Sequence, residues 1–169
     1  MGSKCVLPQW PRRCQTDRMR PMQREIPAIP PFRPDGYLPE GLYLSSEAEV
    51  VFRFGSSNPR RRRLVLRLRK WLQLARQVGA HRLLVNGSFV TEKPEPHDID
   101  SVVLLAPDFQ LKLEREDEPA LELESMLLTR QPEEIFAAED EEDWRDWVEF
   151  FGRTREPDGR RKGLVEVQL

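Results

Sequence analysis

The chain has 169 residues, of which 33% are charged and 38% apolar, with a formal net charge of −2. No apolar run approaches the roughly 20 residues that span a bilayer. The N-terminus carries no hydrophobic core of the secretory kind, so the expected compartment is the cytoplasm, with no membrane partner. This length suits one small domain, or one domain plus a tail.

Residues 1–37 read as a disordered or draped tail, and 38–169 as the folded domain. Residues 1–39 hold eight of the fifteen prolines and no periodic apolar face, too little to offset the entropy of ordering. Cys5 and Cys14 lie there with no second cysteine pair or nearby histidine, which argues against a disulfide or a metal site. Met19 and Met22 offer later start points that would leave residues 1–18 outside the native chain. Ile26 to Phe32 has the composition of an extended, polyproline-like strap.

Ser45-Ser46-Glu47 followed by Ala48, Val50, Val51 and Phe52 predicts a short helix capped by serine. Asn58-Pro59 then supplies a cap and a first helical residue. Leu64, Leu68, Trp71, Leu72, Ala75 and Val78 form one apolar stripe, closed by Gly79. Short Val/Leu runs predict buried strands at 83–86 and 98–105. A helix over 119–130, a strand over 134–138 and a helix carrying Trp144, Trp147, Val148 and Phe151 follow, the aromatics reading as core. Residues 153–162 form a charged turn, and 163–169 alternate as a strand at a sheet edge. The fold class is therefore α/β (α+β), a small mixed sheet flanked by helices, without internal repeats.

Charge is lopsided. Val50 to Thr91 holds ten Lys or Arg and no acid, whereas Glu92 to Glu149 holds twenty acids against five bases. Arg60 to Arg63, with Arg67, Arg69, Lys70 and Arg76, form a basic helix face. It suits either a phosphate backbone or pairing with acidic residues such as 139–143 of this chain or of a second copy.

The chemistry concentrates at Gly87-Ser88 and, ten residues on, Asp98-Ile99-Asp100. In a strand, Asp98 and Asp100 project to one side while Ile99 packs beneath. Two carboxylates so placed repel unless a cation lies between them, and Mg²⁺ prefers such oxygens together with phosphates. Gly87 lets the backbone approach a phosphate and Ser88 adds a hydroxyl. The competing readings are a turn with solvated carboxylates and a hydroxyl bonded to its own backbone. His97 reads as a polar loop residue rather than a general base.

This pattern resembles the nucleotidyltransferase superfamily typified by polymerase β and the minimal stand-alone nucleotidyltransferases. The string Gly87-Ser-Phe-Val-Thr-Glu-Lys-Pro-Glu-Pro-His-Asp-Ile-Asp100 resembles a small bacterial group of that fold, some of whose relatives sit in toxin–antitoxin or phage-defence settings. The resemblance covers roughly 38–155, and only these fourteen residues are diagnostic. It implies a nucleotidyltransferase fold and a third carboxylate on a later strand, for which Glu134 is the candidate and Glu133 the fallback. Asp98, Asp100 and Glu134 would then be catalytic and would bind two Mg²⁺ ions, with Mn²⁺ as substitute. Gly87, Ser88, Thr91 and Lys93 would bind the nucleotide. The implied partners are a nucleoside triphosphate and a protein or RNA acceptor, with a partner protein or a homodimer as a further contact. The chain departs from the family in having Glu where Asp is usual, and in lacking the Arg and Gly that commonly follow Gly-Ser. Those departures set the alternative: a catalytically inactive module of this fold that binds a partner protein in antitoxin fashion, or a nucleic-acid-binding protein.

Overall fold

The computed structural model describes residues 29–130 and 134–169. They form an α+β fold around a five-stranded mixed sheet. The strands are β1 (Gly41–Ser45), β2 (Arg82–Asn86), β3 (Asp100–Leu104), β4 (Ile135–Ala138) and β5 (Gly163–Val167), in the order β1-β5-β2-β3-β4. β2 runs antiparallel to both β3 and β5, while β1–β5 and β3–β4 are parallel pairs. Five helices accompany them: α1 (Glu47–Val50), α2 (Pro59–Gln77), α3 (Phe109–Glu114), α4 (Glu118–Thr129) and α5 (Glu141–Phe151). Among the described residues no helix is long and apolar enough to cross a membrane.

Local chemistry accounts for the helix ends. Ser46 and Glu49 make a reciprocal capping box that starts α1. At α2, the Asn58 side chain accepts from the Arg61 amide at 2.9 Å, with Pro59 at the first helical position. Gly79, at φ +68°, takes the left-handed position beyond the helix end. At α5, Asp140 accepts from the amides of Glu142 and Asp143 at 2.8 and 2.9 Å. Glu141, Glu142 and Asp143 then sit in the first turn, where the helix dipole favours acids. The acidic run 139–143 thus starts a helix, and its Glu141 pairs with Arg82 of β2. Arg69 and Arg76 instead pair with Glu47, and Lys70 with Glu122.

Alternation along the strands sorts the core into two layers. Leu83, Val85, Val103, Val165 and Val167 face the stripe of α2 and residues of α4. Leu84, Val102, Leu104, Ala138 and Leu164 face Trp144 and Phe151 of α5. Coverage of both faces explains why the central strands read as continuous apolar runs. Ile29 and Phe32, from the segment read as tail, lie against the first layer, Phe32 in ring contact with Phe54. Residues 1–28 lie outside the described residues.

Two expectations need correction, and one strand was not expected. β5 is not an edge strand: it lies between β1 and β2. Its polar Glu166 is accommodated inside the sheet because Arg82 of β2 grips it with two bonds, at 2.9 and 2.7 Å, while stacking over Trp144. The edge on that side is β1, which the sequence pattern did not announce, because Leu42 and Leu44 stay 39% and 40% exposed. Finally, Arg61 is not part of a basic surface. It is 5% exposed, and its guanidinium donates to the carbonyls of Phe54 (2.9 Å), Phe89 (2.8 Å), Thr91 (2.9 Å) and Lys93. Arg60 likewise donates to Pro96 O (3.1 Å) and to His97 O, and the Asn58 amide donates to Pro94 O.

The start of α2 therefore acts as a rack that holds segment 89–97. Arg61→Met leaves those buried carbonyls without their donor, at a cost on the order of 3 kcal/mol. Urea unfolding of this variant is expected to show that loss, while Arg63→Met, on the exposed side of the same turn, changes stability by less than about 0.5 kcal/mol.

Candidate active-site cleft

Where β2 ends and β3 begins, Asn86 pairs with Asp100 across the antiparallel ladder. Alternation places Asn86 on the face of Leu84, and Asp100 on the face of Val102. Lys162, two residues before Leu164, belongs to the same face. This face opens into a cleft of about 900 Å³. Asn86, Asp98, Asp100 and Lys162 line it together with Gly87 and Ser88. Asp35, Gly36 and Tyr37 contribute one side, and Phe150, Phe151 and Arg153 to Glu156 another.

The turn depends on Gly87. Its φ is +80°, and a Cβ there would stand 2.9 Å from the Asp100 amide nitrogen and 3.1 Å from both Asp98 O and Ile99 Cα. Only a residue without a side chain lets the two backbones meet. Ser88 then donates its amide to Asp98 Oδ1 at 2.8 Å and its hydroxyl to the same oxygen. The hydroxyl oxygen accepts from the amides of His97 and Asp98 at 2.8 and 3.2 Å. Burial pushes Asp98 upward, but the Ser88 bonds and the charge of Arg155 outweigh it and hold the carboxyl below its usual range.

Asp98 precedes β3, yet the alternation holds: Ile99 is buried in the α2 layer, Asp98 and Asp100 both face the cleft, and the Ser88 clamp fixes Asp98 there. Asp100 is 6% exposed, and burial, followed by the charges of Asp98 and Glu134, pushes its carboxyl up to about 6. Lys162 sits opposite: burial pulls its ammonium down to about 8, against the opposing pull of Asp100 and Asp98. Its Nζ donates to Asn86 Oδ1 at 2.8 Å.

The remaining expected residues divide. Thr91 is on the cleft wall, its hydroxyl donating to Ser88 O at 2.7 Å, and so braces the turn. Lys93 and His97 line the cleft from their loop, with exposed side chains. Glu134 is exposed and does not line the cleft. Its carbonyl accepts from the Ser101 amide at 3.0 Å, which puts it beside Asp100 on the neighbouring strand and explains why its charge is felt there. Glu133 lies outside the described residues. Among the described residues no group of three His, Cys, Asp or Glu side chains is gathered closely enough to hold a metal ion. The fit to a cation rests on the aspartate pair alone, with Asp100 raised first by burial and then by the charge of Asp98. Lys162, Asn86 and Arg155 escaped sequence reading. Counting back from Leu164 by twos would have put Lys162 on the cleft face.

Comparison with known proteins adds one identification. This chain belongs to a family of unknown function, DUF6932, whose model matches residues 30–168. Neither a curated protein nor a solved structure matches it. The matched range begins next to Ile29 and so takes in Phe32 and the cleft residues Asp35 to Tyr37 as well as the sheet.

Two outcomes follow from this geometry. Gly87→Ala forces a left-handed residue against the Asp100 backbone and should lower stability by about 1–3 kcal/mol, read by denaturant unfolding. Asp100 keeps its proton to about pH 6 when folded but only to about pH 4 when unfolded. Folded protein therefore binds more protons between those values, and stability falls as pH rises from about 4 to 6. In chelator-treated buffer Asp100→Asn should remove that slope and melt higher than wild type at pH 7.

Proposed function

We propose that the chain is a nucleotidyltransferase of the polymerase β type, moving a nucleoside monophosphate from a nucleoside triphosphate to a hydroxyl of a protein or RNA acceptor. One observation carries the reading: the Gly87-Ser88 turn is folded directly against Asp98 and Asp100 at the paired ends of β2 and β3. Glu134 stands beside them at the start of β4.

Asp98 and Asp100 are the residues that would hold Mg²⁺, while Glu134, just before β4, stands beside Asp100 but outside the cleft. When bound, the ion would offset charge on the α-phosphate and the departing pyrophosphate and acidify the acceptor hydroxyl. The acceptor oxygen attacks the α-phosphorus, the bond to the β-phosphate oxygen breaks, and pyrophosphate leaves with the electron pair. The hydroxyl proton passes to cleft water, because Asp100, as a ligand of the ion, would be held ionised rather than take it up. Asp98, locked by Ser88, is suited to positioning. The cleft's depth supplies orientation and exclusion of water, which account for most of the catalysis in such transfers.

A second reading, a catalytically silent module of the same architecture that binds a partner protein, draws on a different observation. The Ser88 amide and hydroxyl, which would contact phosphate, are both engaged by Asp98. Nucleic-acid binding through the 60–76 helix draws less support, because Arg60 and Arg61 serve the loop and Arg69, Lys70 and Arg76 pair with acids.

The test is incubation with Mg²⁺, each labelled nucleoside triphosphate and cell extract. Wild type should label an acceptor and release pyrophosphate. Asp98→Asn and Asp100→Asn should each lower transfer by about 10³-fold or more, with Asp100→Asn melting level with wild type or higher and Asp98→Asn, which loses the charge clamped by Ser88, melting level or lower. Transfer at the wild-type rate by either variant contradicts the mechanism, and no transfer with any triphosphate favours the silent module.

A further inference from the structure

Lys162 is the cleft residue that neither the sheet nor the aspartates require. It precedes β5, and its half-buried ammonium donates one bond, to Asn86 Oδ1, while facing the Tyr37 ring at 5.9 Å. An ammonium has three donors, so two are unspent. Burial disfavours its charged form, and the positive Arg155 adds to that cost.

The bland explanation is that Lys162 neutralises Asp100. Asp100 and Asp98 do attract the ammonium across the cleft, but neither reaches it as a partner. Among the described residues Lys162 forms no ion pair, whereas exposed lysines and arginines elsewhere in the fold do so readily, as Lys70 does with Glu122 at 2.8 Å. A cation kept in a cleft with spare donors and without a carboxylate in contact is placed for an anion that arrives from outside. The other lysine on the wall, Lys93, is exposed on the loop and projects from a backbone tied to Arg61. It does not share the floor with Asn86 and Asp100.

We propose that Lys162 is the oxyanion-binding cation of the cleft, its free donors taking phosphate oxygens of a polyphosphate chain while Asn86 fixes the ammonium. The proposal rests on the nucleotidyltransferase reading only for the identity of the donor: a nucleoside triphosphate and inorganic tripolyphosphate present the same oxygens. Opposite charges on one floor, Lys162 against Asp98 and Asp100, suit a polyphosphate accompanied by its counter-cation.

Titration calorimetry with Mg²⁺ tests it, using tripolyphosphate and nucleoside triphosphates against the full chain. Lys162→Met should weaken both ligands about ten- to a hundredfold without lowering the melting temperature. Lys162→Arg should stay within about threefold of wild type, since it keeps the charge. Lys93→Met should cost less than Lys162→Met. Equal affinity of Lys162→Met and wild type, or no binding of either ligand by wild type, overturns the proposal. Lys162-dependent binding of tripolyphosphate without nucleotidyl transfer supports it while removing the enzymatic reading. Should Lys162→Met unfold, amine-reactive labelling of wild type reads the same contact: tripolyphosphate should protect Lys162, and equal labelling with and without it overturns the proposal.

Discussion

Backbone meets backbone at Gly87, and the cleft floor follows from that contact. With a left-handed glycine the end of β2 turns close enough to the Asp98–Asp100 segment for Ser88 to seize the Asp98 carboxylate. Asp100 is left to the ladder, where pairing with Asn86 fixes its face. The arrangement would not survive on local forces alone, since a turn and two charged side chains have little apolar surface to bury. Its support is Arg61, whose guanidinium is buried beneath the loop and satisfies four carbonyls. A planar group with five donors can do this where a lysine cannot.

Charge is distributed so that no group on the floor is at rest. Asp98 is stabilised as an anion by Ser88, Asp100 is opposed by burial and by its neighbours, and Lys162 is opposed by burial. Neutral hydrophobic residues at those positions would fold more comfortably. Groups whose environments push them in different directions inside one cleft are characteristic of sites that bind or react. The second layer of the core explains how the cleft stays open. Trp144 and Phe151 fill the α5 face as far as Leu164 and Leu84, and the α5 end leaves Phe150, 66% exposed, at the rim.

Much of this was legible in the sequence because it rests on short-range rules. The Asn58-Pro59 start, the α2 stripe, the Gly79 stop and the two apolar strands flanking Gly87-Ser88 each carry their own signal. What escaped depends on partners distant in the chain. Arg61 looks like surface charge until the carbonyls it serves, some thirty residues away, are in place. β5 reads as half wet because its Glu166 is matched by Arg82, 84 positions earlier. Lys162 belongs to a charged turn by composition, and to the cleft only once β5 pairs with β2. The Asp98–Asp100 pair is legible as alternation about Ile99, whereas the Ser88 clamp on Asp98 shows only once the turn is folded.

The central claim, that the Gly87-Ser88 turn and the two aspartates form a single cation-attracting floor, is tested most directly by paramagnetic Mn²⁺ titrated into isotope-labelled protein. Amide signals of Asn86, Gly87, Ser88 and Asp98 to Asp100 should broaden first, and the effect should vanish when both aspartates are changed to asparagine. Broadening centred instead on the acidic start of α5, at Glu141 to Asp143, or spread evenly over the acidic surface, would contradict the account.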